Sequence, residues 1–237
     1  MDLTTSSPSS PINSDDVFDS LSRMDFKQLL CDESSDDPAP SPYNLNCLDC
    51  NYWDSSSLRK FLYDNNMGLD SKFLLHLNIQ CLSAKFDSLQ TFLNSFFSVD
   101  NNDRCIPAFI ALSETWLNDH NASLFDINCY HSPIVNNRND HTSRGGVALY
   151  VRDDLNYVPR PEFSIFIPFV FESIFITVKS INTTIGVIYT SPQTNPSDFK
   201  DQYRKVLNLL SESNERFILA GDFNVNLLNC VILLRKN

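Results

Sequence analysis

The order of apolar and polar positions divides the chain into two parts. Residues 1–42 are rich in Ser, Pro and Asp, as in "TTSSPSSPINSDD", and carry few apolar side chains. Such a segment buries too little apolar surface to offset the entropy of ordering, so we expect it to be disordered. From Lys72 onward, apolar runs of strand length alternate with amphipathic segments. We therefore predict an acidic, largely disordered segment at 1–70, a folded domain at 71–230 and a separate tail at 231–237.

Short apolar runs in the second part predict β-strands. Four of them lie at 73–79 ("FLLHLNI"), 107–114 ("PAFIALSE"), 145–152 ("GGVALYVR") and from Phe217 onward ("FILAGD"). Two further runs, "FESIFITVKS" and "TTIGVIYTSP", flank a short turn around Asn182 and predict a β-hairpin.

Two segments carry apolar residues at helical spacing, and a shorter one from Ser55 ("SSSLRKFLYDNN") predicts a brief helix. The two longer helices present one apolar face each, formed by Phe86, Leu89, Phe92, Leu93 and Phe96 in the first and by Phe199, Tyr203, Val206, Leu207 and Leu210 in the second. Strands that alternate with helices, together with a hairpin, indicate a mixed α/β (α+β) sandwich with the sheets inside and the helices outside.

The net charge of −11 at first argues against a nucleic-acid partner, but its distribution changes that interpretation. Residues 1–70 hold 13 acidic and 4 basic residues (4 − 13 = −9), whereas the remainder holds 16 and 14 (14 − 16 = −2). The acidity belongs to the first segment, so the global charge excludes no substrate class.

No targeting or membrane segment is expected. The first residues lack a basic n-region and an apolar h-region. The most apolar stretch, 163–178, is interrupted by Pro168 and Glu172 and is shorter than the roughly 20 residues that a spanning helix needs. Seven scattered cysteines, an odd number, are typical of reduced thiols, and the single CxxC pair of Cys47 and Cys50 lacks two further zinc ligands. We predict an intracellular protein, nuclear or cytoplasmic.

Five polar side chains stand at the ends of predicted strands: Asn78, Glu114, Tyr189, Asp222 and Asn224. Each one alone is readily explained as a turn former, a solvated acid or a core phenol. Together they are harder to dismiss, because strand ends that lie side by side form one rim of a sheet, where functional residues are commonly placed.

The stretch "FILAGDFN" shows how such a rim is built. Side chains two apart on a strand share a face, so Asp222 and Asn224 are expected to point the same way while Phe223 turns back into the core. Gly221 would leave space for a close approach of a neighbouring strand.

These motifs together resemble a known family. "LLHLNIQCLSAKFDSL", "FIALSETWL", "RGGVALYV", "GVIYTSP" and "FILAGDFNVNLL" occur in this order over about residues 72–229. They resemble the endonuclease/exonuclease/phosphatase superfamily, and most of all the apurinic-endonuclease-like domain of non-LTR (LINE-type) retrotransposons. The resemblance implies a DNase I-like four-layer α/β sandwich. It also implies an endonuclease that nicks DNA for target-primed reverse transcription, with a reverse transcriptase encoded downstream in the intact element.

The resemblance assigns a role to each strand-end residue. Glu114 would bind a catalytic Mg²⁺ (or Mn²⁺), a hard cation that prefers oxygen ligands, and Asn78 would help to orient it. Tyr189 would donate to a phosphate oxygen as negative charge grows there. Asp222 would orient or deprotonate the attacking water, with Asn224 holding the phosphate or the water beside it.

Two further positions are judged by the same resemblance. Gln80 stands where many relatives carry an Asp, which weakens a second metal contact. Arg144 precedes the double glycine and would face the nucleic-acid backbone, although a solvated arginine at the start of a strand is an equally good interpretation.

The family's closing Ser-Asp-His-like motif has no counterpart in the sequence. All 4 His precede Asp222, and 13 residues follow Asn224 (237 − 224). We therefore expect a C-terminally truncated copy with weak or no activity, since the loss of groups that act as a unit is costly. Two alternatives stay open: a non-catalytic nucleic-acid-binding or interaction protein, and a same-fold phosphatase that acts on a small phosphoester.

Overall fold

The computed structural model describes residues 60–61, 64, 72–97, 106–117, 121–138, 144–213 and 215–225. The segment predicted to be disordered, the CxxC pair and the tail at 231–237 lie outside the described residues. Of the brief helix predicted from Ser55, only Lys60, Phe61 and Asp64 are described, and all three are helical.

The first sheet has the strand order β1-β2-β4-β3, with β1 parallel to β2 and the other pairs antiparallel. Its strands are β1 (Leu74–Asn78), β2 (Phe109–Ser113), β3 (Ile134–Asn136) and β4 (Val147–Val151). The three strands predicted in this region are present, each slightly shorter than predicted. Strand β3 was not predicted, because three residues are too few to show a periodic pattern.

The second sheet has the order β5-β7-β8-β9, with β6 paired to β7 beside that path. Its strands are β5 (Val158–Pro159), β6 (Phe166–Ile167), β7 (Phe171–Val178), β8 (Thr183–Tyr189) and β9 (Arg216–Asp222). The pair β8–β9 is parallel and the others are antiparallel.

The predicted hairpin is the pair β7–β8. Its connection is a single 3₁₀ turn, Lys179–Ile181, which Asn182 ends in the left-handed conformation at φ 47°. Asn tolerates this conformation better than most residues, which explains why the turn falls there.

Two long helices, α1 (Leu82–Phe97) and α2 (Pro196–Glu212), flank the sheets, and a short 3₁₀ helix lies at Ala122–Leu124. The Asn195 side chain caps α2 by accepting from the Ser197 backbone N–H at 3.0 Å, and Pro196 occupies the first turn, where a missing N–H costs nothing. All five residues predicted for the apolar face of α2 are buried. On α1, Leu89 and Leu93 are buried and the phenylalanines at 86 and 92 are half-buried.

The core has three layers of apolar contact. Alternate residues of both sheets meet between them, as Ala111, Leu149, Ile176 and Val187 do. Helix α1 packs on the outer face of the first sheet and helix α2 on the outer face of the second. The described residues therefore form a helix–sheet–sheet–helix sandwich, which confirms the predicted fold class. No helix among them is both long and apolar enough to cross a bilayer.

Gly221 allows β9 to approach β8. Its φ of +149° belongs to the region that side chains rarely adopt, and a Cβ at this position would lie 1.8 Å from the Ile188 carbonyl oxygen. Only glycine fits, as the sequence predicted from the space it leaves.

Gly221→Ala should therefore lower the free energy of unfolding by about 3 kcal/mol, because the backbone must shift and adopt a strained dihedral. Urea unfolding followed by tryptophan fluorescence measures the change. Asn208→Ala, on the exposed face of α2, is the control and should move the free energy by no more than about 0.5 kcal/mol. Equal midpoints for the two variants would contradict the close approach.

Candidate active site at one end of the sandwich

Four strand ends meet at one end of the two facing sheets. In the first sheet Asn78 pairs with Ser113, so β1 and β2 end together. In the second sheet Tyr189 pairs with Asp222, so β8 and β9 end together. Since both pairs are parallel and the sheets pack face to face, the polar residues that end these strands share one rim.

Asn78 joins the two acidic residues of this rim. Its Nδ2 donates to Glu114 Oε1 at 3.1 Å and to Asp222 Oδ2 at 2.6 Å. Among the described residues neither carboxylate forms an ion pair. Two carboxylates that converge on one neutral amide form a site of negative potential, which favours a cation.

Backbone hydrogen bonds hold Glu114 in an unusual conformation. Its φ is +54°, and that of Trp116 is +55°, a left-handed backbone that costs about 1–2 kcal/mol in a residue with a side chain. The Glu114 carbonyl accepts from the Cys81 backbone N–H at 2.9 Å, and the Trp116 N–H donates to the Gly145 carbonyl at 2.9 Å. The loop is thereby fixed, which is typical of functional sites.

Tyr189 is 4% exposed and faces the space between the sheets. Burial raises the pKa of its phenol, and the negative charges of Glu114, Glu172 and Asp222 raise that pKa further. The phenol therefore keeps its proton at neutral pH and remains a hydrogen-bond donor.

Asn224 departs from the prediction that it shares a strand face with Asp222. Strand β9 ends at Asp222, and Asn224 lies beyond it with a φ of +48°. Its N–H donates to Asp222 Oδ1 at 3.3 Å and its Nδ2 to the Thr190 carbonyl at 2.8 Å. The side chain thus ties the end of β9 to the loop after β8. Phe223 packs against Phe199 in the core, as predicted.

Arg144 is exposed, and its guanidinium carbon lies 5.6 Å from the centre of the Trp116 ring. It stands directly before the glycines whose backbone holds the Glu114 loop, so it is near the rim in sequence and in space. Gln80 is exposed in the loop after Asn78, with a φ of +45°.

The sequence did not predict a buried ion pair beside these residues. Glu172 and Arg138 are 1% and 4% exposed and form a salt bridge. Glu172 also accepts from the Gly146 backbone N–H at 2.6 Å, and it pairs with Tyr189 in the β7–β8 register. The ion pair therefore connects the two sheets next to the phenol. The sequence feature that could have revealed this pair is Glu172, an acid within an otherwise apolar strand. At the level of sequence this acid serves only as evidence against a membrane-spanning segment.

Several buried polar atoms at this end have no protein partner within the described parts of the chain. They are Thr115 Oγ1, Trp116 Nε1, Thr190 Oγ1 and both side-chain polar atoms of Asn137. Buried polar groups are normally hydrogen-bonded, so these atoms indicate a place that water or a ligand completes.

Comparison with known proteins identifies the family. The endonuclease/exonuclease/phosphatase family matches residues 75–228, and the chain belongs to this family. Its members are hydrolases with this two-sheet fold, among them nucleases, phosphodiesterases and phosphatases, and they generally depend on a divalent metal. No curated protein matches the chain.

Similar solved structures are distant. The human nocturnin catalytic domain is 13% identical and covers 65% of this chain and 64% of its own, with a TM-score of 0.42. D. rerio TDP2 in complex with a single-stranded DNA product is 16% identical, and the match covers 66% of this chain and 62% of that one, with a TM-score of 0.47. The endonuclease domain of TRAS1, a telomere-specific non-LTR retrotransposon, is 14% identical, and the match covers 65% of this chain and 59% of that one, with a TM-score of 0.42. The chain thus spans less than two thirds of each of these three structures.

The rim fits the metal on which this family depends. Carboxylate oxygens of Glu114 and Asp222, and the amide oxygen of Asn78, are hard ligands of the kind that Mg²⁺ and Mn²⁺ accept. In this structure the Asn78 Nδ2 lies between the two carboxylates and donates to both, so its amide would have to turn for the oxygen to face a cation. Across the described ranges, no three His, Cys, Asp or Glu side chains gather into one cluster, either at this rim or elsewhere, so the two carboxylates would need an amide or water to complete a metal site.

Arg138→Met should cost about 3–5 kcal/mol of folding free energy, because it leaves the Glu172 carboxylate buried without its cation. The matched control is Arg204→Met, which breaks a 3.2 Å pair with Asp201 on the surface of α2 and should cost no more than about 1 kcal/mol. Urea unfolding compares the two variants. Equal costs would contradict a structural role for the buried pair.

Stability should fall at alkaline pH because Tyr130, Tyr150 and Tyr189 are buried and burial raises the pKa of each phenol. Above about pH 10 the unfolded chain releases protons that the folded chain retains. Each tyrosine thus contributes stability that is complete below that pH and lost above it, by up to about 1.4 kcal/mol per pH unit. Urea unfolding between pH 8 and 11 should show that the free energy of unfolding declines less steeply with pH in Tyr189→Phe than in the wild type. An equal slope in the two proteins would contradict the contribution of Tyr189.

Proposed function

We propose that this chain is a divalent-metal-dependent phosphodiesterase that nicks DNA. The observation that carries the proposal is the convergence of Glu114 and Asp222 on the Asn78 amide, at 3.1 and 2.6 Å. Glu114 follows β2 of the first sheet and Asp222 ends β9 of the second. Among the described residues neither carboxylate has an ion-pair partner, which suits a reaction at a phosphate, where a cation offsets the accumulating negative charge.

Each residue of the rim has a chemical task in hydrolysis. Glu114 and Asn78 would hold a Mg²⁺ or Mn²⁺ ion. When bound, the ion supplies Lewis-acid polarisation of a phosphate oxygen. Asp222 orients the attacking water and accepts its proton, a task for which a carboxylate within hydrogen-bond reach is suited.

Tyr189 and Asn224 serve the phosphate and the loop around it. The phenol, kept protonated by its buried and negatively charged surroundings, donates to a phosphate oxygen as charge grows there. Asn224 fixes the loop after β8 through the Thr190 carbonyl at 2.8 Å and thereby keeps Tyr189 and Asp222 in register. Its exposed position also leaves it within reach of a phosphate or of the water.

DNA is the substrate that we favour over a small phosphoester. Asn78, Arg144 and Asn224 are all exposed at the rim, and they offer contacts along an extended strand as well as at one phosphate. The motifs resemble those of retroelement endonucleases, for which a nick would expose the 3′ end that primes reverse transcription. A nucleic-acid-binding protein without cleavage is the alternative that the experiment separates.

The test measures metal binding and nicking on the full chain. Mg²⁺ and Mn²⁺ should raise the thermal midpoint of the wild type, and supercoiled plasmid should be nicked in their presence and not in EDTA. The nicking assay uses micromolar protein and long incubation so that slow cleavage is detected. Glu114→Gln should abolish the metal-induced rise in the thermal midpoint, and both Glu114→Gln and Asp222→Asn should lower the nicking rate by at least about 100-fold.

Asp87→Asn, which removes an exposed acid from α1, is the matched control and should retain both signals. If the metals stabilise Glu114→Gln as much as the wild type, the metal assignment is wrong. Salt-dependent DNA binding without any nicking, unchanged in both site variants, would favour the non-catalytic alternative.

A further inference from the structure

Phe169 is an exposed aromatic residue in a strained turn. It lies between β6 and β7 and is 53% exposed, although the chain buries many of its other phenylalanines. Its φ is +67°, in the left-handed region that a bulky residue rarely adopts. Exposure of the ring and the backbone strain are two separate costs, and a glycine or asparagine would avoid both.

The turn around Phe169 is nevertheless firmly held. Its N–H donates to Glu172 Oε1 at 3.3 Å, and its carbonyl accepts from Thr194 Oγ1. The guanidinium carbon of the buried Arg138 lies 4.0 Å from the centre of the ring. One side of the ring therefore rests on a fixed cation, and the backbone on either side of it is bonded.

This ring stands beside the candidate active site. Glu172, which holds the Phe169 N–H, pairs with Tyr189 in the β7–β8 register. Thr194, which holds the carbonyl, belongs to the loop that follows Tyr189. Both anchors of the turn thus come from segments next to the phenol, so the ring is fixed relative to the rim and not merely near it.

We propose that Phe169 is a stacking surface for a base of the nucleic acid that the rim acts on. Aromatic rings with a free face are the usual platforms for unpaired bases, because every base has a π-face. The cation beneath the ring adds attraction and stiffness. The inference rests on the proposed nucleic-acid substrate. It adds a contact to a base, whereas the residues of the rim are proposed to contact only the phosphate and the attacking water.

A purely structural role predicts something different. If the ring only shields the Arg138–Glu172 pair from water, Phe169→Leu would keep most of the cover and DNA affinity would not change. If the ring stacks on a base, Phe169→Leu loses that contact and Phe169→Trp keeps it. The two variants therefore separate shielding from stacking.

The experiment measures binding of the full chain to fluorescein-labelled oligonucleotides, single-stranded and duplex, by anisotropy in EDTA at low salt. A series of oligonucleotides with one abasic site at successive positions locates the base. We expect Phe169→Leu to bind about 5- to 100-fold more weakly than the wild type, which is the loss of affinity expected for one stacked base. Phe169→Trp should bind as tightly as the wild type. Removing one particular base should weaken the wild type and leave Phe169→Leu unaffected.

Leu124→Ala is the matched control, because Leu124 is 72% exposed and its neighbour Phe125 packs on the α1 side of the first sheet. Thermal midpoints of all variants show whether they fold. Equal affinity of Phe169→Leu and wild type, or an equal effect of every abasic position in both, would overturn the stacking role. The proposed function would stand if nicking still depends on Glu114. A wild type that binds no oligonucleotide would overturn the stacking role and the nucleic-acid substrate together.

Discussion

The face-to-face packing of the two sheets is the constraint on which the site depends. Apolar side chains of β2 and β4 interlock with those of β7 and β8 and fix how far each strand extends toward the rim. The parallel pairs β1–β2 and β8–β9 then end at the same level. Asn78 reaches Glu114 within its own sheet and Asp222 across the gap because this packing sets the distance between the sheets.

Polar groups at the rim reinforce that packing where the apolar core ends. The Arg138–Glu172 pair and the Gly146 N–H join the first sheet to β7, and the Asn136 amide adds a 2.9 Å hydrogen bond to the Ser173 carbonyl. A buried ion pair is not a strong source of stability in itself. Its value here is geometric, because it fixes Tyr189 and the turn that carries Phe169 against the strand ends where the acids converge.

The chemistry of the rim follows from what surrounds each group. Tyr189 keeps its proton because it is buried among carboxylates, whereas Asn78 and Asn224 stay exposed at the mouth. Left-handed backbone at Glu114 and Phe169 is maintained by hydrogen bonds from neighbouring loops. Strain of this kind concentrates where a side chain must point in a direction that a regular strand does not allow.

The sequence by itself determined the local elements and the residue types at their ends. The five-residue apolar face of α2 and the turn at Asn182 were predictable, because period and turn chemistry are local properties. Three-residue β3 was too short to show a period, and the sequence did not show that β9 stops at Asp222, so that Asn224 lies in the loop beyond it. Only the tertiary structure decided which strand ends meet, and that Glu172 faces Arg138 and not solvent. Such pairings join residues far apart in the chain, and their geometry depends on sheet packing that no local pattern records.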